Sequence, residues 1–176
     1  MKRCAMIPGD QAIITVLVAV EPALAFEVFT QEIDQWWRRG LRYRAAGTQR
    51  GIIHLEPGVG GRLFESFDTN QGARVVETGR VTIWEPPVRL VFEWRLVNFA
   101  PAEKTEVEVT FAPSASGTLV TVRHRGWGAI RSDHPARHGE DVPTFIRNMG
   151  MWWGDLLTSL REHTALRAPA ASTTPG

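Results

Sequence analysis

The sequence predicts an α+β fold in which a curved antiparallel sheet grips one long C-terminal helix. Three observations predict it. First, Glu56–Glu65 (EPGVGGRLFE), Trp84–Trp94 (WEPPVRLVFEW) and Leu119–Trp127 (LVTVRHRGW) alternate apolar and polar residues over a strand's length. Second, each carries Gly or Pro where a sheet must turn or thin. Third, all lie between a short helical N-terminal region and a long apolar helix. A sheet that curves around a helix encloses space between them, and function is to be sought there.

The elements follow in order. Residues 1–11 form a flexible lead-in, and the domain spans residues 12–165. Ala12–Val20 is rich in β-branched residues and reads as a buried strand. It follows Asp10, lacks a cleavage pattern, and is too short to span a bilayer, so it is neither an export signal nor a membrane anchor. Pro22 suits the first turn of a helix, where its missing N–H would have no partner anyway. Pro22–Thr30 and Gln31–Arg39 are therefore read as two short helices after the first strand. Gly40–Arg50 is basic and irregular.

Six further strands are expected at Gly51–Leu55, Arg62–Phe67, Arg74–Trp84, Val88–Leu96, Thr105–Ala112 and Thr118–Arg125. Short Gly-, Pro-, Asp- and Ser-rich turns join most of them, which implies an antiparallel meander of seven strands in all. Gly126–Asp141 reads as a long polar loop. A helix then runs from about Val142 to His163, with Asp141 as its cap and Pro143 in its first turn. Phe145, Met149, Trp152, Leu156 and Leu160 form its apolar stripe, widened by Ile146, Trp153 and Leu157. The Ala-, Pro-, Ser- and Thr-rich segment 166–176 is expected to be a disordered tail.

Composition narrows the function classes. Lys+Arg number 20 against Asp+Glu 19, so there is no global basic field to attract nucleic acid or anionic lipid. The single cysteine, Cys4, excludes an internal disulfide framework and is compatible with a reducing cytoplasm, the expected location.

These motifs, in this order, resemble the SRPBCC (START/Bet v 1-like) superfamily and, within it, the bacterial activator of Hsp 90 ATPase homologue group. The residues that carry the resemblance are the Pro22–Thr30 helix with Trp36-Trp37, Leu55–Glu65, Gly79–Trp94, Thr105–Phe111, Gly117–Trp127 and Met151–Leu157. The resemblance implies a helix-grip fold, a seven-stranded antiparallel sheet wrapped around the C-terminal helix. It also implies a hydrophobic ligand held between sheet and helix. Some relatives in the wider superfamily are cyclases or aromatases, and others only carry lipids or hormones.

Seven tryptophans are many for 176 residues, and an indole buries a large apolar area while keeping one N–H donor. Core packing is the plain account of any one of them. Together they suggest an aromatic-lined cavity, with Trp37, Phe64, Phe92, Trp94, Trp127, Met149, Trp152 and Trp153 as its ligand-binding residues. Trp94 and Phe92 share one strand face by alternation. Glu65, Arg95 and His124 are the candidate polar groups that would orient a ligand. Paired carboxylates can do acid–base work, which draws attention to Glu56, Glu65 and Glu93, but nearby Arg62, Arg80 and Arg95 make structural ion pairs the simpler account.

His134 and His138 have the spacing of a helical metal pair, yet Pro135 lies between them in an expected loop, and no metal is implied. The Gly58-Val59-Gly60-Gly61 run lacks the Lys-Ser/Thr ending of a phosphate loop and opens a strand. The basic run Arg38–Arg44 reads as a solvated face that could meet an acidic partner or a ligand carboxylate.

The sequence therefore predicts a protein that binds a small hydrophobic or aromatic molecule, with no metal or organic cofactor. One alternative is a polyketide cyclase- or aromatase-like enzyme, which requires a buried acid/base pair in the cavity. The other is a chaperone- or stress-related interaction module, which requires a filled core and a large exposed apolar patch. A homodimer through an exposed sheet edge or a helix is also compatible with the sequence.

Overall fold

In the computed structural model, which describes residues 10–96 and 98–169, seven strands form one sheet in the order β1-β7-β6-β5-β4-β3-β2. The strands are β1 Gln11–Val18, β2 Gly51–Leu55, β3 Arg62–Thr69, β4 Gly72–Glu85, β5 Arg89–Trp94, β6 Thr105–Ser114 and β7 Gly117–Arg125. Every pair is antiparallel. The helices are α1 Pro22–Gln31, α2 Ile33–Trp36 and α3 Val142–Arg167. The expected α+β architecture is therefore present: a long C-terminal helix on a curled seven-stranded sheet.

Alternation decides which side chains face the helix. On β5, Leu90, Phe92 and Trp94 are buried together, and on β6 Thr105, Val107, Val109 and Phe111 are. Val120, Val122 and His124 continue this inner face on β7. Trp153, Leu156, Leu157 and Leu160 of α3 pack onto it. Register shifts between Leu63 and Phe64 and between Val81 and Ile83 interrupt the ladder on either side of β4. Such irregularities bend and twist a sheet, which helps it curl around a helix.

Several boundaries differ from those expected. β1 starts at Gln11 and stops at Val18, because the chain bends at Ala19–Val20 before Pro22. α2 ends at Trp36 instead of Arg39, since Trp37 already has an extended backbone (φ −68°, ψ 122°). The β3–β4 hairpin is tighter than expected: Thr69 pairs with Gly72, leaving only Asn70 and Gln71 in the turn.

α3 continues past His163 to Arg167, so residues 166 and 167 belong to the helix and not to a tail. Its last turns are held by Glu32, which meets both His163 and Arg167, and by the buried Thr164. At the other end, Asp141 accepts a hydrogen bond from the Thr144 N–H at 2.9 Å and caps the helix as expected. The remainder of the expected lead-in and tail, residues 1–9 with Cys4 and residues 170–176, lies outside the described residues.

Gly126 ends β7 with a left-handed φ of 99°, a conformation glycine adopts without penalty. The segment after it is not a solvated loop. It forms 3-10 turns at Trp127–Ala129 and Pro135–Arg137 and buries Trp127, Ile130, His134 and Arg137. Trp127, Ile130, Phe99 and Phe145 form a second apolar cluster beside the main core.

Candidate functional site

A cavity of about 460 Å³ opens at the β2–β5 half of the sheet, beside the middle of α3. Three tryptophans form its aromatic wall. Trp37 and Trp94 stack with ring centroids 6.2 Å apart and planes 20° from parallel. Trp152 meets both edge-on, at 5.8 Å and 6.0 Å. Tyr43 stacks on the far side of this group, 5.9 Å from Trp152. Ile53, Leu63, Val76 and Leu96 add aliphatic surface.

Backbone hydrogen bonds fix two of the three indoles. Trp37 Nε1 donates to the Tyr43 carbonyl at 3.0 Å, and Trp152 Nε1 donates to the Arg42 carbonyl at 2.9 Å. Both acceptors lie in the segment between α2 and β2, so the same contacts hold that segment over the cavity. Trp94 Nε1 is buried without a hydrogen-bond partner among the described residues. Tyr43 donates its hydroxyl to Asp155 Oδ2 at 2.8 Å; burial first, and then that carboxylate, raise the phenol's pKa.

The anchor of this segment is Arg44, whose side chain is only 1% exposed. It donates to Asp34 Oδ1 at 2.6 Å and to the carbonyls of Arg38, Trp37, Asp34 and Gly51. Asp34 also accepts the Ile53 N–H at 2.9 Å. Burial would raise the Asp34 pKa, but the Ile53 N–H and the Arg44 guanidinium outweigh it and hold the carboxyl below its ordinary value.

Glu65 is the acidic residue of the cavity wall. It is 5% exposed and accepts the Ala45 N–H at 2.7 Å and the Ala46 N–H at 3.1 Å, one on each oxygen. Among the described residues no ion pair involves it, so the expected arginine partner is replaced by backbone N–H groups. Gly51 leaves room for it: a Cβ there would lie 2.8 Å from Glu65 Oε1. The other two carboxylates are spent elsewhere. Glu93 pairs with Lys104 at 2.5 Å and Glu56 with Arg62 at 2.6 Å.

The structure thus divides the expected site residues. Trp37, Phe64, Trp94, Trp152, Glu65 and Arg95 line the cavity. Phe64 does so with its ring engaged beside it, stacked on His54 at 4.7 Å and beneath the Arg62 guanidinium at 4.5 Å. Arg95 half-emerges into the cavity and donates to the Ala100 carbonyl at 2.9 Å. Phe92 and Trp153 lie in the main core, Trp127 in the second cluster, and Met149 between the two.

His124 also lies away from the cavity. Trp153 Nε1 donates to its Nδ1 at 3.1 Å, and its Nε2 meets Thr105 Oγ1 at 2.7 Å. Complete burial lowers its pKa to about 3, so it is neutral. Nδ1 must then accept and Nε2 carry the proton, which fixes the tautomer.

Leu41, Arg42, Tyr43 and Ala45 were not among the expected cavity residues, nor were Asn98, His134 and Pro135. For the 41–45 segment the signal in the sequence is the chain's only tyrosine, set in a basic run six residues after a tryptophan pair. His134 is buried against Phe99 at 4.9 Å, and its Nε2 meets the Asn98 carbonyl at 3.0 Å. Among the described residues no group of three or more His, Cys, Asp or Glu is placed to hold a metal ion.

Comparison with known proteins follows the fold. The family model described as activator of Hsp90 ATPase homolog 1-like protein matches residues 19–163. No curated protein matches the chain. Among solved structures, the AHSA1-like protein from Aeromonas hydrophila is 19% identical, with a TM-score of 0.59, 94% of this chain covered and 99% of that one. The Aha1 dimer from Colwellia psychrerythraea is 16% identical, with a TM-score of 0.56 and coverages of 88% and 95%. DynU16, a protein of the dynemicin biosynthetic locus, is 20% identical, with a TM-score of 0.60; 92% of this chain matches 49% of that one. At these identities the likeness is one of fold.

Proposed function

The chain belongs to the family of activator of Hsp90 ATPase homolog 1-like proteins, and we propose that it binds a small hydrophobic or aromatic molecule in the cavity between sheet and helix. The fold family commonly binds hydrophobic ligands. One observation carries the reading for this chain: a cavity of about 460 Å³ walled by Trp37, Trp94 and Trp152. That volume lies within the range of small-molecule sites, as does the mixture of apolar walls with a few fixed polar groups. Rigid rings supply contact area at little conformational cost.

Catalysis is the second reading, and Glu65 is the observation that favours it. A cavity-lining carboxylate without an ion pair could take a proton from a bound substrate. Neither partner expected for it from the sequence is there, because Glu93 is bound to Lys104 and His124 is locked in the core. Binding therefore ranks first. An interaction module ranks below both, since a cavity of this size is not a filled core. Self-association is compatible with the fold, whose edge strands β1 and β2 each pair on one side only. No helix among the described residues is long and apolar enough to cross a membrane.

The test is direct. Purified protein is examined by native mass spectrometry for a co-purified small molecule and titrated with a fluorescent naphthalene-based probe. Saturable binding, weakened by Trp152→Ala, supports the reading. Absence of any bound molecule together with no saturable probe binding rejects it.

A further inference from the structure

We propose that Glu65 is the specificity group of this cavity and selects ring-bearing ligands that present a hydrogen-bond donor, a hydroxyl or a protonated amine, over ligands that present a carboxylate. The inference rests on the binding reading above and adds the chemical class of the ligand.

The cavity places an acidic group at an apolar aromatic wall. Glu65 is buried and lines the same space as Trp37, Trp94 and Trp152. A carboxylate offers about four acceptor positions. Two are filled by Ala45 and Ala46, one on each oxygen, which leaves acceptor capacity on both oxygens.

Among the described residues none of the arginines that line the cavity forms an ion pair with it. Arg44 is committed to Asp34 and to four backbone carbonyls. Arg42 lies 3.8 Å from Asp155, and Arg95 donates to the Ala100 carbonyl. A buried charge with incomplete partners is costly to leave and rewards any donor that reaches it. A ligand carboxylate at this point would instead bring a second negative charge beside Glu65. The surrounding indole faces favour a positive or donor-bearing group for the same electrostatic reason.

The geometry of the carboxylate is prepared in advance. The two N–H groups that hold it come from consecutive residues of the segment that Arg44 pins and that Trp37 and Trp152 grip. The carboxylate is held in place before a ligand arrives, so little ordering cost opposes the contact.

The experiment compares four probes of one ring size: naphthalene, 2-naphthol, 2-(aminomethyl)naphthalene and 2-naphthoate. Tryptophan fluorescence titration is carried out on the wild-type protein and on Glu65→Gln, with near-ultraviolet circular dichroism to verify that the variant is folded. The expected result is about tenfold tighter binding of the naphthol or the amine than of naphthoate, as a hydrogen bond to a charged group implies. Glu65→Gln should reduce that ratio about tenfold, whatever its effect on naphthalene affinity itself. The naphthol and amine arms tell which donor is preferred.

Equal or tighter binding of naphthoate by the wild type, or an unchanged ratio in Glu65→Gln, overturns the inference while the binding reading stands. If naphthalene and its derivatives all fail to bind the wild type, the binding reading falls and this inference with it. Should Glu65→Gln not fold, the wild-type ranking decides alone, with Glu65→Asp as the second variant.

Discussion

Trp153 of α3 donates its indole N–H to His124 Nδ1 of β7 at 3.1 Å, and this bond bolts the helix to the sheet. His124 passes the connection on to Thr105 Oγ1 at 2.7 Å, and Thr105 reaches the Trp94 carbonyl at 3.4 Å. The relay runs from helix to β7, β6 and β5 entirely inside the core. Its last member is a residue of the cavity wall.

Trp153→Phe keeps an aromatic ring but removes the second ring of the indole and leaves His124 Nδ1 buried without a donor. The unsatisfied buried acceptor alone costs about 1–3 kcal/mol, and the space left in the core adds to that loss. Chemical denaturation should show it as a lower midpoint with an unchanged slope.

The same histidine makes stability depend on pH. Its folded pKa, about 3, lies below the ordinary value of 6.5, so between those values the unfolded chain binds the extra proton. Stability from this group is complete above about pH 6.5 and is lost as pH falls toward 3. The slope contributed is at most about 1.4 kcal/mol per pH unit. Denaturation midpoints measured across this range for wild type and His124→Gln should converge at the acid end, because the variant lacks the proton uptake. Parallel curves would show that His124 is not the titrating group.

Breaking the Arg44–Asp34 pair should damage both fold and site. Asp34→Asn leaves the buried guanidinium without its counter-charge, and loss of one partner of a buried pair costs about 3–5 kcal/mol. Asp34 is partly accessible, which places the expected loss at the lower end. Because Arg44 anchors the 41–45 segment, amide hydrogen exchange of Ala45 and Ala46 should accelerate more than that of β6.

Trp152→Ala separates binding from stability. Trp152 is only partly buried, whereas Trp153 is fully buried, so truncating Trp152 should cost far less stability than truncating its neighbour. It removes one wall of the cavity, and probe affinity should fall about tenfold or more, as expected for an aromatic anchor of a binding site. Unchanged affinity would place the probe elsewhere.

The strands, their antiparallel order and the gripping helix were legible because alternation and periodicity are local properties of the chain. The cavity was legible only in part. Phe92 and Trp94 share an inner face, but two residues along a strand is nearly 7 Å, enough to put one in the core and the other at the cavity. Trp152 and Trp153 are neighbours in sequence yet about 100° apart around the helix, so they serve different sites. Trp127 has the same chemistry as the wall tryptophans and sits in a separate cluster.

The run that holds Leu41 and Tyr43 reads as a solvated face, because a basic stretch without periodicity gives no sign of folding over a pocket. Its placement depends on Arg44 and Asp34, ten residues apart. Glu65 was noticed, but its partners were expected to be arginine side chains. Backbone N–H groups of a distant loop leave no mark in a sequence.

The central claim is that a ligand sits against Trp37, Trp94 and Trp152, and two-dimensional ¹⁵N nuclear magnetic resonance of the indole N–H groups tests it most directly. Seven indole signals, assigned by Trp→Phe variants, are followed while 2-naphthol is titrated. The account predicts saturable shifts for Trp37, Trp94 and Trp152, with Trp127 nearly still in its separate cluster. Shifts confined to Trp127 or Trp84, or no saturable shift at the three wall residues, would contradict it.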